Sequence, residues 1–272
     1  MTIDRRQFLA AGAVAAVHAV VARVTFAQTA PASAGPVDQA LLDDLVAANR
    51  ILADQGVVDG YGHVSVRHPA DPQRYLMSRS IAPETVTAAD IMEYDLDSTA
   101  VDLRGRTSYL ERFIHGEIYR ARPDVKSVVH NHSPSVIPFG VTTVPLRPLY
   151  HLSAFLGGGV PVFDIKTAAG GPTDMLVRNA ALGRALAQTL GARPVALMRG
   201  HGAVVVGPNV QLAVFRSVYT EMNARLQVQA MALGGPVTYL DDDEARLAGG
   251  SVGGTVVRPW ELWRKKALAG GR

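Results

Sequence analysis

The sequence predicts an α/β domain, and three observations carry that expectation. Short runs of β-branched and apolar residues recur along the chain, as strands require. Longer stretches with apolar residues at helical spacing lie between them. The chain has 272 residues, of which 48% are hydrophobic, which is ample for one sizeable core.

The elements follow in order. Residues 28–36, rich in Pro, Ala and Gly, read as a linker to a folded domain over 37–240. Val37 to Gln55 reads as a helix, with Leu41, Leu42, Leu45, Val46 and Ile51 on one stripe. Val64 to Arg67 and Tyr75 to Ser78 read as strands. Thr87 to Asp90 looks like a helix start, and Ile91 to Tyr94 a strand. Asp95-Leu-Asp-Ser98 is a hairpin turn, because a calcium loop would need a central glycine and a terminal glutamate. Phe113, Ile114, Ile118 and Tyr119 recur at helical spacing. Arg122-Pro-Asp124 ends that helix, since the residue before proline avoids the α region. Gly159 to Phe163 is a short strand, and Thr173 opens a helix to about Leu190. Val195 to Met198 and Ala203 to Val206 form a strand pair, and Val210 to Leu233 a long helix. Residues 241–272 read as a tail. Within it Pro259 to Lys266 is a short amphipathic helix suited to a subunit edge or an active-site mouth. No internal repeat is apparent.

Three histidines stand on these short segments. His130 and His132 lie in Ser127-Val-Val-His-Asn-His-Ser-Pro134, at the end of a strand headed by Val128 and Val129. Residues i and i+2 of a strand face the same way, so the two imidazoles lie side by side, as a divalent metal needs. His201 follows an apolar run and is flanked by glycines, which allow close backbone approach. Three imidazoles leave open positions on a metal, the mark of a catalytic site. A lone His-x-His is more often decoration than a ligand pair. Glu111 lies in the first turn of the helix before His130, near its positive end. Alone it reads better as a solvated charge favouring the helix start. Glu221, on the long helix, is also better read as facing solvent.

Together these pieces resemble the class II aldolase/adducin family over roughly residues 38 to 240. The resemblance is carried by Gly62-His-Val-Ser-Val-Arg67, Glu111, His130-Asn-His132, Gly157-Gly158 and His201-Gly202, in matching order. It implies an α/β/α sandwich with a central mainly antiparallel sheet, a tetramer, and sites at subunit boundaries. It implies that His130, His132 and His201 bind one divalent metal ion, zinc or manganese. Glu111 would be the acid/base residue that also approaches the metal.

Departures from the family's phosphosugar aldolases direct the substrate expectation. His63 stands at the asparagine of their Gly-Asn phosphate segment. Met77-Ser-Arg-Ser-Ile81 replaces a Thr-Gly turn, and Tyr109-Leu110 a Ser-Ser pair. A phenol and an apolar side chain do not cradle phosphate as two small hydroxyls do. Arg79 offers a planar fork for a carboxylate, His63 a donor, and Tyr109, Leu110 and Phe155 an apolar wall. The tyrosine proton donor that a neighbouring subunit lends falls at His151 here, with Tyr150 beside it. A buried structural histidine is the other reading of His151. The pattern is similar to the family's decarboxylase branch, which acts on hydroxylated aromatic or pyridine acids. The expected enzyme is therefore a metal-dependent carbon–carbon lyase on a small unphosphorylated acid, either decarboxylase or aldolase. The alternatives are a sugar-phosphate aldolase or epimerase, and a non-enzymatic adducin-like scaffold.

Composition and the N-terminus set the outer bounds. Cysteine is absent, which excludes disulfides and thiolate metal sites. The formal charge is +3, and residues 1–27 hold three arginines and one aspartate, leaving about +1 for the rest. Such a balance argues against a nucleic-acid partner and leaves a small molecule as the expected one. Asp4-Arg-Arg-Gln-Phe-Leu9 resembles a twin-arginine export signal, and the apolar stretch Ala10 to Ala22 is too short for a membrane span. Thr25-Phe-Ala27 fits a cleavage site. The expectation is a signal peptide over residues 1–27, export to the periplasm, and no membrane contact after its removal. The other reading of these residues is an amphipathic or disordered tail.

Overall fold

One seven-stranded sheet organises the chain, in a computed structural model that describes residues 30–269. Its strands are β1 (His63–Arg67), β2 (Arg74–Ser78), β3 (Ile91–Asp95), β4 (Ser127–Asn131), β5 (Val162–Phe163), β6 (Val195–Met198) and β7 (Gly202–Gly207). They lie in the order β3-β2-β1-β4-β7-β6-β5, with every neighbouring pair antiparallel except β5 and β6. The helices described are α1 (Gln39–Asp54), α2 (Phe113–Ala121), α3 (Ile137–Val141), α4 (Ile165–Ala169), α5 (Ala180–Leu190), α6 (Val210–Ala232), α7 (Asp242–Gly253) and α8 (Val257–Ala269). No helix among the described residues is long and apolar enough to cross a membrane.

Two apolar cores make this the expected α/β/α sandwich. On one face Val64, Val66, Val129, Leu197 and Val205 pack under Leu45 and Ile51 of α1, Val214 and Val218 of α6, and Trp260 and Trp263 of α8. On the other face Val128, Ala196, Val204 and Val206 pack under Ile114 and Ile118 of α2 and Leu186 and Leu190 of α5. Each such side chain, fully buried, contributes roughly 1.5–3 kcal/mol, so the layers outweigh individual caps. Strand alternation assigns the faces. β1 turns Val64 and Val66 to the first core and His63, Ser65 and Arg67 toward α2, yet all five residues are buried.

Several elements differ from expectation. The helix expected from Thr173 begins at Ala180, where Asn179 caps it by accepting from Leu182 N. Thr173 and Asp174 instead accept from the N–H groups two residues on, holding the chain in turns. Thr87 to Asp90 is a single 3-10 turn closed by a capping box, not the start of a longer helix. The strand expected over 159–163 shortens to Val162–Phe163. Residues 241–269 are not a tail. Asp241 opens α7 with a capping box, and α8 buries Trp260 and Trp263 against α1 and α6, away from the mouth of the site. Arg264 also pairs with Asp44 of α1 at 3.1 Å. The described part of the linker is held down: Ser33 Oγ and Ala34 N donate to Glu93 of β3 at 2.6 and 2.8 Å. The proposed leader, residues 1–27, lies outside the described residues.

Candidate metal centre and active site

β4 and the β6–β7 turn bring the three histidines together. His130 is the next-to-last residue of β4, on its α2 side, His132 lies just past the strand's end, and His201 sits where β6 turns into β7. Gly202 lies so close to the Asn131 carbonyl that a Cβ there would clash, which requires the glycine beside His201. Glu111 comes from the 3-10 turn Leu110–Arg112 that leads into α2.

The four side chains form one cluster whose ligand atoms all lie within 4.8 Å of one another. His132 Nε2 is 3.2 Å from His130 Nε2 and 3.0 Å from His201 Nε2. Glu111 Oε2 is 3.5 Å from His130 Nε2 and 3.4 Å from His201 Nε2. Glu111 is itself held by Val177 N, which donates to Oε1 at 2.9 Å.

The donor set fits a cation. His130 Nδ1 faces Ala203 O at 3.2 Å and His201 Nδ1 faces Met175 O at 3.0 Å. A carbonyl accepts only, so both Nδ1 atoms carry the proton and both Nε2 atoms present lone pairs. His132 Nε2 can donate to only one of them. Three imidazole nitrogens and a carboxylate thus converge with too few protons to pair, which is the arrangement a divalent ion completes. Burial alone would push the Glu111 carboxyl up. The facing His130 and His201, when a proton stands on their Nε2 atoms, outweigh it and hold the group well below the usual carboxylate range, and a cation bound among these atoms acts in the same direction. Burial, then the neighbouring His130 and His201, pushes His132 down to about 4, so it is neutral at pH 7 and able to bind metal.

The cluster opens into a cavity of about 290 Å³. Besides Glu111, His130 and His132 it is lined by Tyr61, His63, Ile81, Tyr109, Leu110 and Leu176, among others. Tyr61 and Leu110 are exposed at the cavity. The Tyr109 hydroxyl donates to Ile81 O and accepts from Ile81 N at 3.3 Å, so the residue offers the cavity mainly its ring. That ring lies 4.5 Å from His63. A larger cavity, about 650 Å³ beside Arg122, Gly158 and Arg216, is lined by none of the clustered groups.

His63, Tyr109, Leu110, Glu111, His130, His132 and His201 come together, while Arg79, Phe155, Tyr150 and His151 do not join them. Arg79 does not line the cavity, because its Nε donates to Asp90 Oδ1 at 2.6 Å. Phe155 packs against Phe215, with ring centroids 6.4 Å apart. His151 opens the 3-10 segment that runs to Leu156, with Tyr150 just before it, away from the cluster of their own chain. Glu221 Oε2 accepts from Ser135 N at 3.1 Å, as a structural prop for the loop after β4.

The sequence reading missed a buried neighbour of the site. His115 of α2 joins His63 Nδ1 at 2.7 Å and Ser65 Oγ at 2.6 Å, and Ser65 Oγ joins the Tyr119 hydroxyl at 2.7 Å. Burial, then His130, pushes His115 down to about 3. Burial, then His115 and His130, also holds His63 well below the usual histidine range. One signal was available: His115 lies four residues after Glu111, about one helical turn away.

Comparison with known proteins agrees with this geometry. The Class II Aldolase and Adducin N-terminal domain matches residues 43–228. The decarboxylase tropJ of Talaromyces stipitatus is 38% identical over 243 residues, covering 81% of this chain and 91% of that protein. The 3,4-dihydroxyphthalate decarboxylase of Arthrobacter keyseri is 32% identical over 212 residues, covering 72% of this chain and 81% of the relative. Among solved structures, L-fuculose 1-phosphate aldolase from Glaciozyma antarctica PI12 superposes with a TM-score of 0.70 at 23% identity, covering 86% of this chain and 94% of the other. The expectation of periplasmic export does not stand after these comparisons, and residues 1–27, on which alone it rested, lie outside the described residues. The sandwich, the ordered histidine motifs and these matches lead to one assignment: the chain belongs to the class II aldolase and adducin family and is a lyase of the class II aldolase type.

Proposed function

We propose that this lyase is a divalent-metal-dependent decarboxylase of a small, unphosphorylated hydroxyaromatic carboxylic acid. The observation that carries the reading is the cluster of three imidazoles and a carboxylate, opening into a cavity walled by Tyr61, Tyr109, Leu110 and Ile81. An aromatic acid fits that wall, and the backbone-bound Tyr109 hydroxyl is a poor substitute for a phosphate cradle. The name of the relative at 32% identity, 3,4-dihydroxyphthalate decarboxylase, supports the same substrate class, and that of the decarboxylase at 38% identity supports the reaction type.

His130, His132 and His201 would hold zinc or manganese, with Glu111 beside them. The bound ion supplies Lewis acidity to the oxygens of the substrate. Glu111, ionised at neutral pH, accepts the proton of the substrate hydroxyl next to the departing carboxylate. The same proton passes from Glu111 to the ring carbon that carries the carboxylate, and the neighbouring oxygen becomes a ring ketone. The carbon–carbon bond then breaks, carbon dioxide leaves, and its bonding pair restores the aromatic ring with the oxygen as phenolate. His63 and Tyr109 position the substrate.

Tyr150 and His151 would act on the cluster of a neighbouring copy, in a homotetramer with its sites at subunit boundaries. The support is that His151 is exposed and lies away from the cluster of its own chain, whereas the Tyr150 hydroxyl is buried within its own chain and is the weaker candidate of the two. The test is carbon dioxide release by the metal-analysed protein from 3,4-dihydroxyphthalate and a panel of hydroxybenzoates and pyridine carboxylates, with fuculose 1-phosphate for comparison. Metal-dependent carbon dioxide is the expected result. Aldehyde from the sugar phosphate, with no carbon dioxide from any acid, would overturn the reading.

A further inference from the structure

The buried chain from His63 to Tyr119 has a direction. Ser65 Oγ is the only side-chain atom hydrogen-bonded to the Tyr119 hydroxyl among the described residues. Both ring nitrogens of His115 are engaged, Nδ1 by Ser65 and Nε2 by His63. His63 Nδ1 is taken by His115, and the ring lines the cavity, so Nε2 is the nitrogen left for a ligand.

Run from Tyr119 outward, every proton finds an acceptor. The tyrosine O–H donates to Ser65 Oγ, the serine O–H to His115 Nδ1, and His115 Nε2–H to His63 Nδ1. Neutral His63 then carries its own proton on Nε2, facing the cavity. Run in reverse, His63 Nδ1–H donates to His115, His115 to Ser65, and Ser65 to the Tyr119 oxygen. The Tyr119 O–H is then left without an acceptor in a fully buried setting. An unmade buried hydrogen bond disfavours that order by on the order of tenfold or more. The far end is fixed as well. Arg67 donates to the Tyr119 and Arg122 carbonyls at 2.7 and 3.0 Å, and its guanidinium lies 4.7 Å over the Tyr119 ring.

We propose that His115, Ser65 and Tyr119 are positioning residues that hold His63 in its Nε2–H form, so that this wall of the cavity selects an anionic substrate oxygen by donating to it. The substrate-facing half of the statement rests on the proposed decarboxylase reading. The tautomer itself does not.

The experiment is solid-state carbon–nitrogen correlation spectroscopy on the zinc-loaded full-length protein, isotopically labelled at histidine. The chain has eight histidines, and His63 is assigned by difference from His63→Gln. The expected spectrum has His63 protonated at Nε2 alone. In Tyr119→Phe and Ser65→Ala the bias is lost, and His63 becomes a mixture of both neutral forms. Tyr119→Phe removes one oxygen from the core and is the milder of the two. An Nδ1–H or doubly protonated His63 in the parent protein would overturn the proposal. So would an unchanged Nε2–H form in both variants. No turnover is needed, so failure of the decarboxylase reading would appear separately, as absent carbon dioxide with the tautomer intact. With 3,4-dihydroxyphthalate as probe, Ser65→Ala raises KM on the order of tenfold while kcat moves less. Added to His63→Gln, whose amide carries its own N–H, the same change has no further effect.

Discussion

The two sides of β1 and β4 are chemically opposite although they are the same strands. Toward α1 and α6 they present Val64, Val66 and Val129, a dry surface of interlocking side chains. Toward α2 they present His63, Ser65, Arg67 and His130, all equally buried. Burying polar groups stabilises nothing unless each finds a partner, and here each of them does. The difference teaches that the α1 side of these strands serves stability alone, while the α2 side, apolar at Val128 and across β6 and β7, carries the chemistry as well, and it says what should happen when each is disturbed.

The largest effects belong to the polar face. His130→Ala or His201→Ala should lose bound divalent ion and turnover together, as read by elemental analysis beside the carbon dioxide assay. Retention of stoichiometric metal in both would break the comparison at its centre. Glu111→Gln should keep the fold and most of the metal but lose turnover by on the order of 100-fold or more. Full activity in that variant would remove Glu111 from proton transfer.

The dry face should respond in stability alone. Leu197→Ala, at a fully buried position, should cost roughly 2–5 kcal/mol in denaturant unfolding while leaving turnover per folded molecule unchanged. A selective loss of turnover there would mean that the faces are not separable.

The pH dependence sharpens the same contrast. Burial, then His130, pushes folded His115 down to about 3, while the unfolded chain has an ordinary histidine near 6.5. Between those values the unfolded state binds the additional proton. Stability of the metal-free protein is therefore full above pH 6.5 and falls on acidification, by roughly 1.4 kcal/mol per pH unit for this group. His115→Phe should flatten that slope in pH-dependent unfolding curves, and an unchanged slope would assign the acid loss to other groups. The smallest effect is expected at Arg79. Its guanidinium is engaged by Asp90 outside the cavity, so Arg79→Ala should change KM for an aromatic acid by less than about twofold. A tenfold rise would return Arg79 to the substrate.

Much of the site was legible because its signals are local. His130-x-His132 on a strand and His201 between glycines state their geometry within a few residues, and the helix bearing Glu111 feeds directly into β4. Arg79 and Phe155 misled because suitable chemistry says nothing about location. Asp90, eleven residues on, captured the first, and Phe215 on α6 lies beside the second. The C-terminal helices were read as a tail because two tryptophans in a charged segment look amphipathic, whereas α1 and α6 supply the apolar surface that buries them.

By itself the sequence determined the α/β class, the order of most elements and the side-by-side His130-x-His132 pair, which rest on periodicity and on residue chemistry at short range. The grouping of His201 and Glu111 with that pair, and the expectation of no phosphate cradle, rest on the resemblance to the family. Only the tertiary structure decided which face of β1 is covered. Alternation in His63-Val-Ser-Val-Arg67 shows that the two sides differ, and a polar side ordinarily faces water. It is the packing of α2, fifty residues away along the chain, that excludes water there and joins His63 and Ser65 to His115.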